Sequence, residues 1–188
     1  MKIFDTNFEW KNGLSKRNAT KYIIMHHRAG NGDVESIHRI HLGNGWSGIG
    51  YHFYVRKDGS VYRGRPIGTV GAHCIGYNDK SIGVCFEGDF QNERMSEKQI
   101  NAGERLISYL LSIYPSAQVA KHEDFCSTLC PGKYFEFEKI KKGVSEMTVE
   151  EAVEIIQAKA GLEDGTMEFL LCYKYGEELV VKLAEAMI

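Results

Sequence analysis

Two adjacent imidazoles close an apolar, partly β-branched run, Tyr22-Ile23-Ile24-Met25-His26-His27, which reads as a short buried strand. Side chains alternate across a strand, so His26 and His27 face opposite sides and only one of them points into a given cleft. Far along the chain, Lys121-His122-Glu123-Asp124-Phe125-Cys126-Ser127-Thr128-Leu129-Cys130-Pro131-Gly132 sets an imidazole and two thiols in what reads as an irregular loop. Neutral imidazole and thiolate are good zinc ligands. The spacing allows His122 to pair with Cys126 or with Cys130, because loop conformation sets the reach. The plain alternative for this loop is a buried cysteine beside a surface histidine. The triplet Gly48-Ile49-Gly50 is too isolated to make a phosphate-binding loop.

These groups need elements to hold them. Asp33 is a helix N-cap, and the helix it starts runs to about Leu42 with Val34, Ile37 and His41 on one face. Tyr51-His52-Phe53-Tyr54-Val55-Arg56 reads as a second strand, Asp58-Gly59 as a hairpin turn, and Ser60-Val61-Tyr62-Arg63 as the returning partner. Ser81–Phe86 is a third buried strand. Ser96 with Gln99 forms a capping box for a helix that ends before Pro115, with Ile100, Leu106, Ile107, Leu110 and Leu111 as its apolar stripe. A further helix is expected around Tyr134 to Ile140. Strands interspersed with helices predict an α/β body.

Beyond Gly143 the pattern is helical throughout. Thr148 and Glu151 form a second capping-box signature, followed by Val149, Ala152, Val153 and Ile156 at helical spacing, with Leu179, Val180, Leu183 and Met187 on a last amphipathic helix. The predicted organisation is residues 1–143 as a catalytic body and 144–188 as a small helical module. Charge marks the same division. Residues 1–143 carry 20 Lys and Arg against 15 Asp and Glu, whereas 144–188 carry 3 against 10, within a net charge of −2. A body this weakly basic does not point to nucleic acid.

The 188 residues are 43% hydrophobic and 26% charged, enough apolar material for a buried core. No apolar run approaches the ~18 residues of a membrane span. Met1–Asn7 lacks the apolar stretch of a signal peptide, so synthesis in the cytosol is expected. Five scattered cysteines favour a metal site or free thiols over a disulfide framework.

Four blocks in order then carry a resemblance: Met25-His26-His27-Arg28-Ala29; Gly50-Tyr51-His52-Phe53; Gly71-Ala72-His73 with Gly76-Tyr77-Asn78 and Ser81-Ile82-Gly83-Val84; and His122 with Thr128 and Cys130-Pro131-Gly132. Over about residues 15 to 140 the series resembles the type 2 N-acetylmuramoyl-L-alanine amidases, which include phage amidase lysozymes and peptidoglycan recognition proteins. The resemblance implies a central mixed β-sheet flanked by helices, with Zn2+ in a surface groove. It implies His26, His122 and Cys130 as metal ligands, and three protein ligands leave a fourth position open, as catalysis requires. The family's catalytic tyrosine falls on Tyr51. The position two before the cysteine, Lys in some relatives and Thr in others, is Thr128 here. Tyr51 and Thr128 are the implied donors to the oxyanion. His52, His73 and Asn78 are candidates for lining the groove, each with a structural alternative.

The implied reaction is hydrolysis of the amide between N-acetylmuramic acid and the L-alanine of the stem peptide of bacterial peptidoglycan. Where some branches place a glutamate base, this chain has Cys85; Glu87, two residues on, is a weak stand-in. The proton acceptor stays open between Tyr51 and the water on the metal. An endolysin or autolysin acting on the wall after release fits the expected cytosolic synthesis. A peptidoglycan binder without hydrolysis is the alternative, and a thiol peptidase built on Cys74 or Cys126 is a third class. For residues 144–188 the expectations are attachment to a neutral or peptide feature of the wall, self-association into a homo-oligomer, or packing on the body.

Overall fold

Alternation along Tyr22–His27 sorts its side chains onto the two faces of one sheet. In the computed structural model, which describes residues 2–142 and 149–187, that segment is a six-residue strand with a buried interior. The chain forms two units, Met1–Gly143 and Val144–Ile188. The first unit runs β1 (Ile3–Phe4), β2 (Tyr22–His27), α1 (Val34–Gly43), β3 (Phe53–Val55), β4 (Val61–Arg63), β5 (Ser81–Phe86), α2 (Glu97–Ile113), β6 (Gln118–Lys121), a 3-10 turn (His122–Asp124) and α3 (Phe137–Lys142). Its strands lie in the order β1-β4-β3-β5-β2-β6. The β3–β4 hairpin is antiparallel and the other pairings are parallel, so the sheet is mixed as expected.

One face of the sheet is wholly apolar. Ile23, Met25, Ile82, Val84 and Phe86 pack there with Leu106, Ile107 and Leu110 of α2 and Ile140 of α3. The α2 stripe faces this layer because its apolar residues recur at helical spacing. Ser96 caps α2 by accepting from the Gln99 amide. The other half of the expected capping box does not form. The buried Gln99 side chain instead donates to the carbonyls of Val55 and Glu87, fastening the start of α2 to the sheet. The opposite face packs Tyr54 and Cys85 against Val34 and Ile37 of α1, together with Ile49. Asp33 caps α1 by accepting from the Ser36 amide, as its sequence position predicts.

Strand β6 has no counterpart among the sequence expectations, and only its last residue, Lys121, falls in the expected loop. Its four residues are partly exposed, and a short edge strand leaves little periodic signal. The second unit contains α4 (Val149–Ala160), α5 (Asp164–Leu171) and α6 (Gly176–Met187). Ala152, Ile156, Met167, Val180 and Ala184 form its core. Of the expected α6 stripe, Val180 turns inward while Leu179, Leu183 and Met187 remain exposed. The expected cap Thr148 and the Glu151 side chain lie outside the described residues. Among the described residues no helix is long and apolar enough to cross a membrane.

Candidate metal centre and groove

The carboxyl ends of parallel strands are where open α/β sheets gather their functional groups. Here β2 and β6 run side by side with Met25 opposite Lys121. One residue further on, the chain reaches His26 on β2 and His122, the first residue past the end of β6, with ring centroids 4.4 Å apart. On its other side, His26 is in register with Cys85 of β5. The chain after His122 turns back, and the Glu123 amide donates to the Cys130 carbonyl. This return sets the Cys130 Sγ 3.8 Å from the His26 Nδ1. Ligand atoms of His26, His122 and Cys130 all lie within 4.8 Å of one another. Tetrahedral zinc with two nitrogens and one sulfur needs donors about 3.5 Å apart, so the three require only a small contraction.

The surroundings suit these atoms to a metal. Burial first, then the neighbouring His122 and His27, hold His26 well below the ordinary histidine range. Burial likewise lowers His122. Both rings are therefore neutral, the form that ligates. Burial pushes the Cys130 thiol up to about 12, against a lowering by the His27 amide, which donates to its sulfur. Metal binding there would release a proton. The second nitrogen of His26, Nε2, is 3.0 Å from the His73 Nδ1, and the His73 Nε2 is 3.3 Å from the Ser81 hydroxyl. Such an outer partner fixes which nitrogen faces the metal. Two glycines make room for it: a Cβ on Gly83 or Gly71 would come within 2.5 or 2.4 Å of the His73 ring.

Above this cluster opens a groove of about 660 Å³, lined by His41, Trp46, Tyr51, His73, Asn78, His122 and Thr128 among others. The Tyr51 ring sits 5.1 Å from that of His26. Burial, then the Cys85 and Cys130 thiols, raise the Tyr51 phenol well above its ordinary value, so at neutral pH it is a donor and not a base. The Thr128 Oγ1 accepts from the Cys130 amide, and its hydroxyl hydrogen remains to donate. Asn78 lines the groove too, but its Oδ1 accepts from the amides of His73 and Cys74 and shapes their turn.

Other candidates fall elsewhere. His52 does not reach the groove. It is fully buried, its Nδ1 accepts from the Gly83 amide, and its Nε2 lies against the Arg17 guanidinium and the Thr69 carbonyl. Burial drives it down to about 3. His52 sits behind His73, with ring centroids 5.7 Å apart, while Tyr51 faces the groove. Glu87 is no stand-in base: its carboxylate accepts from the Gly32 and Lys57 amides and pairs with Arg56. His27 points away from the cluster and accepts from the Phe90 amide. One imidazole at the groove, His41, had no role assigned from the sequence. His41, whose Nδ1 accepts from the Gly50 amide, stacks between Trp46 and Tyr51. Its place on the inward face of α1 was the available signal.

All of these groove and cluster residues lie inside one matched segment: the family described as N-acetylmuramoyl-L-alanine amidase matches residues 16–133. The chain belongs to this amidase family. Among its relatives, the endolysin of Enterobacteria phage K11 is 33% identical, over 63% of this chain and 84% of the endolysin. Peptidoglycan-recognition protein SC2 of Drosophila melanogaster is 34% identical, over 63% of this chain and 71% of that protein. Among solved structures, the N-acetylmuramoyl-L-alanine amidase LysC from Clostridium intestinale is 41% identical with a TM-score of 0.73, covering 75% of this chain and 95% of LysC. The helical unit Val144–Ile188 lies beyond the amidase-family segment.

Proposed function

We propose that this chain is a zinc-dependent peptidoglycan hydrolase that cleaves the amide between N-acetylmuramic acid and L-alanine. The observation that carries the reading is the convergence of His26, His122 and Cys130 on one point at the base of the groove, beside the two hydroxyl donors Tyr51 and Thr128. A zinc ion held by this donor set would supply Lewis acidity to the scissile carbonyl and to the attacking water. The residues of the chain do the rest. His26 and His122 as neutral imidazoles and Cys130 as thiolate would hold the metal, and His73 orients His26 from behind. The protonated Tyr51 donates to the oxyanion as the carbonyl becomes tetrahedral, and Thr128 offers a second hydroxyl from the loop. The residues that line the groove include no carboxylate, and Tyr51 stays protonated, so the proton lost by the attacking water passes through solvent in the open groove to the leaving amine as the C–N bond breaks.

Mass spectrometry of digested peptidoglycan tests this reading. New free L-alanine amino termini that vanish with a chelator and return with zinc are the expected result. Binding without new termini would favour the alternative, a peptidoglycan-recognition role of the kind named for the Drosophila relative. Cleavage that survives zinc removal would favour a thiol enzyme. In this reading residues 144–188 serve wall attachment or self-association, since the candidate catalytic side chains all precede them. Loss of wall pelleting, or a fall in the number of copies per particle, on deleting the segment is expected.

A further inference from the structure

Two thiols that the proposed hydrolysis does not use face each other across the groove wall. Cys74 belongs to the turn that Asn78 shapes, and Cys126 belongs to the loop between His122 and Cys130. Their sulfurs are 3.8 Å apart, in contact, although the residues are 52 positions apart in sequence. Both are free. Cys74 is buried, whereas Cys126 is half-buried, and both line the groove. The two walls they belong to carry different parts of the site: His73 and Asn78 on one, His122, Thr128 and Cys130 on the other.

The geometry points to Cys74 and Cys126 as a redox-operated brace that closes into a disulfide and ties the metal-ligand loop to the Asn78 turn. The oxidant is a small-molecule disulfide. The more accessible Cys126, as thiolate, attacks one sulfur of that disulfide and releases one small thiolate. The Cys74 thiolate then attacks the Cys126 sulfur of the mixed disulfide and releases the second. Two protein thiols are oxidised, one small disulfide is reduced to two small thiols, and the two protein protons pass to those thiolates. Closing the bond draws the sulfurs from 3.8 Å to about 2.05 Å, a movement a groove-side loop absorbs. Ligand atoms of Cys74, His122 and Cys126 also lie within 4.8 Å of one another. A metal would then have to share His122 with the His26–Cys130 set, so the disulfide is the chemistry that leaves the first cluster intact.

The test uses the full chain, zinc-loaded, equilibrated with mixtures of oxidised and reduced glutathione and mapped by non-reducing peptide mass spectrometry. Its readouts are independent of peptidoglycan cleavage, so failure of the proposed hydrolysis leaves them interpretable. The expected result is a Cys74–Cys126 cross-linked peptide with a rise in Tm of about 5–10 °C. Dithiothreitol reverses both. Cys126→Ser removes both, and Cys74→Ala does so if the buried serine variant Cys74→Ser fails to fold. The inference is overturned if both thiols remain alkylatable at an oxidising poise, if only mixed disulfides form, or if the cross-link runs to Cys130. A second equivalent of bound zinc that is lost in Cys126→Ser would also overturn it, assigning the pair to metal.

Discussion

The two faces of the central sheet are made from the same strands and have opposite chemistry. On the α2 side, Ile23, Met25, Val84 and Phe86 belong to one hydrophobic cluster. On the α1 side, the same strands present His26 and Cys85, with Tyr51, His73, His122 and Cys130 gathered around them. One residue of offset in a period-two strand separates a layer that stabilises the fold from a layer that does chemistry. The apolar layer tolerates exchange of volume for volume. The polar layer depends on particular atoms at particular distances, and burial lowers its imidazoles.

Substitutions on the two faces should therefore separate activity from stability. The largest effect is expected from Cys130→Ala, which removes one of three metal donors. Metal analysis should find little retained zinc and amidase assays should fall to background, while the fold persists; stoichiometric zinc in the variant would refute the ligand assignment. Tyr51→Phe comes next. It should keep zinc and lose about 10²–10³-fold in kcat, the usual loss for one oxyanion donor, and full activity would remove Tyr51 from the reaction. On the opposite face, Leu106→Ala should cost about 3 kcal/mol in denaturant unfolding and leave zinc content per folded molecule unchanged. Zinc loss there would mean that the faces are not separable.

Smaller effects sharpen the same contrast. His73→Ala should weaken zinc about 10–100-fold in competition with a chelator, and Gly83→Ala should act in the same direction because its methyl meets the His73 ring. The smallest effect is electrostatic. Burial alone would raise Glu87, but hydrogen bonds from Gly32, Lys57 and Arg56 outweigh it and hold the carboxyl below its ordinary value. A depressed carboxyl stabilises the fold above its unfolded pKa of about 4.3, and the contribution disappears as pH falls through the folded value. Glu87→Gln should flatten the pH dependence of Tm below about pH 4.5; an unchanged slope would mean that other carboxylates account for it.

Much of this architecture was legible beforehand where local chemistry is strong. Asp33 and Ser96 cap helices because their side chains reach amides only three residues away. Ser81–Phe86 is a strand because an unbroken apolar run of that length suits burial on both faces. Strand β6 escaped notice because its pairing to β2 is long-range and its residues carry no periodic signal. Gln99 misled because a side chain that would close a capping box found two buried carbonyls instead. His52 and His73 looked alike in the sequence, yet one is buried against Arg17 behind the groove and the other supports His26 at it.

The sequence by itself determined the alternation that sends His26 and His27 to opposite sides, the residue types suited to zinc, and the order of blocks that marks the amidase family. Only the tertiary structure decided that His26 and His122 come together at the ends of adjacent parallel strands, that Cys130 folds back onto them, and that Cys74 meets Cys126. The reason is physical. Propensity and periodicity act over a few residues, whereas bringing together groups far apart along the chain takes a sheet register and a packed core.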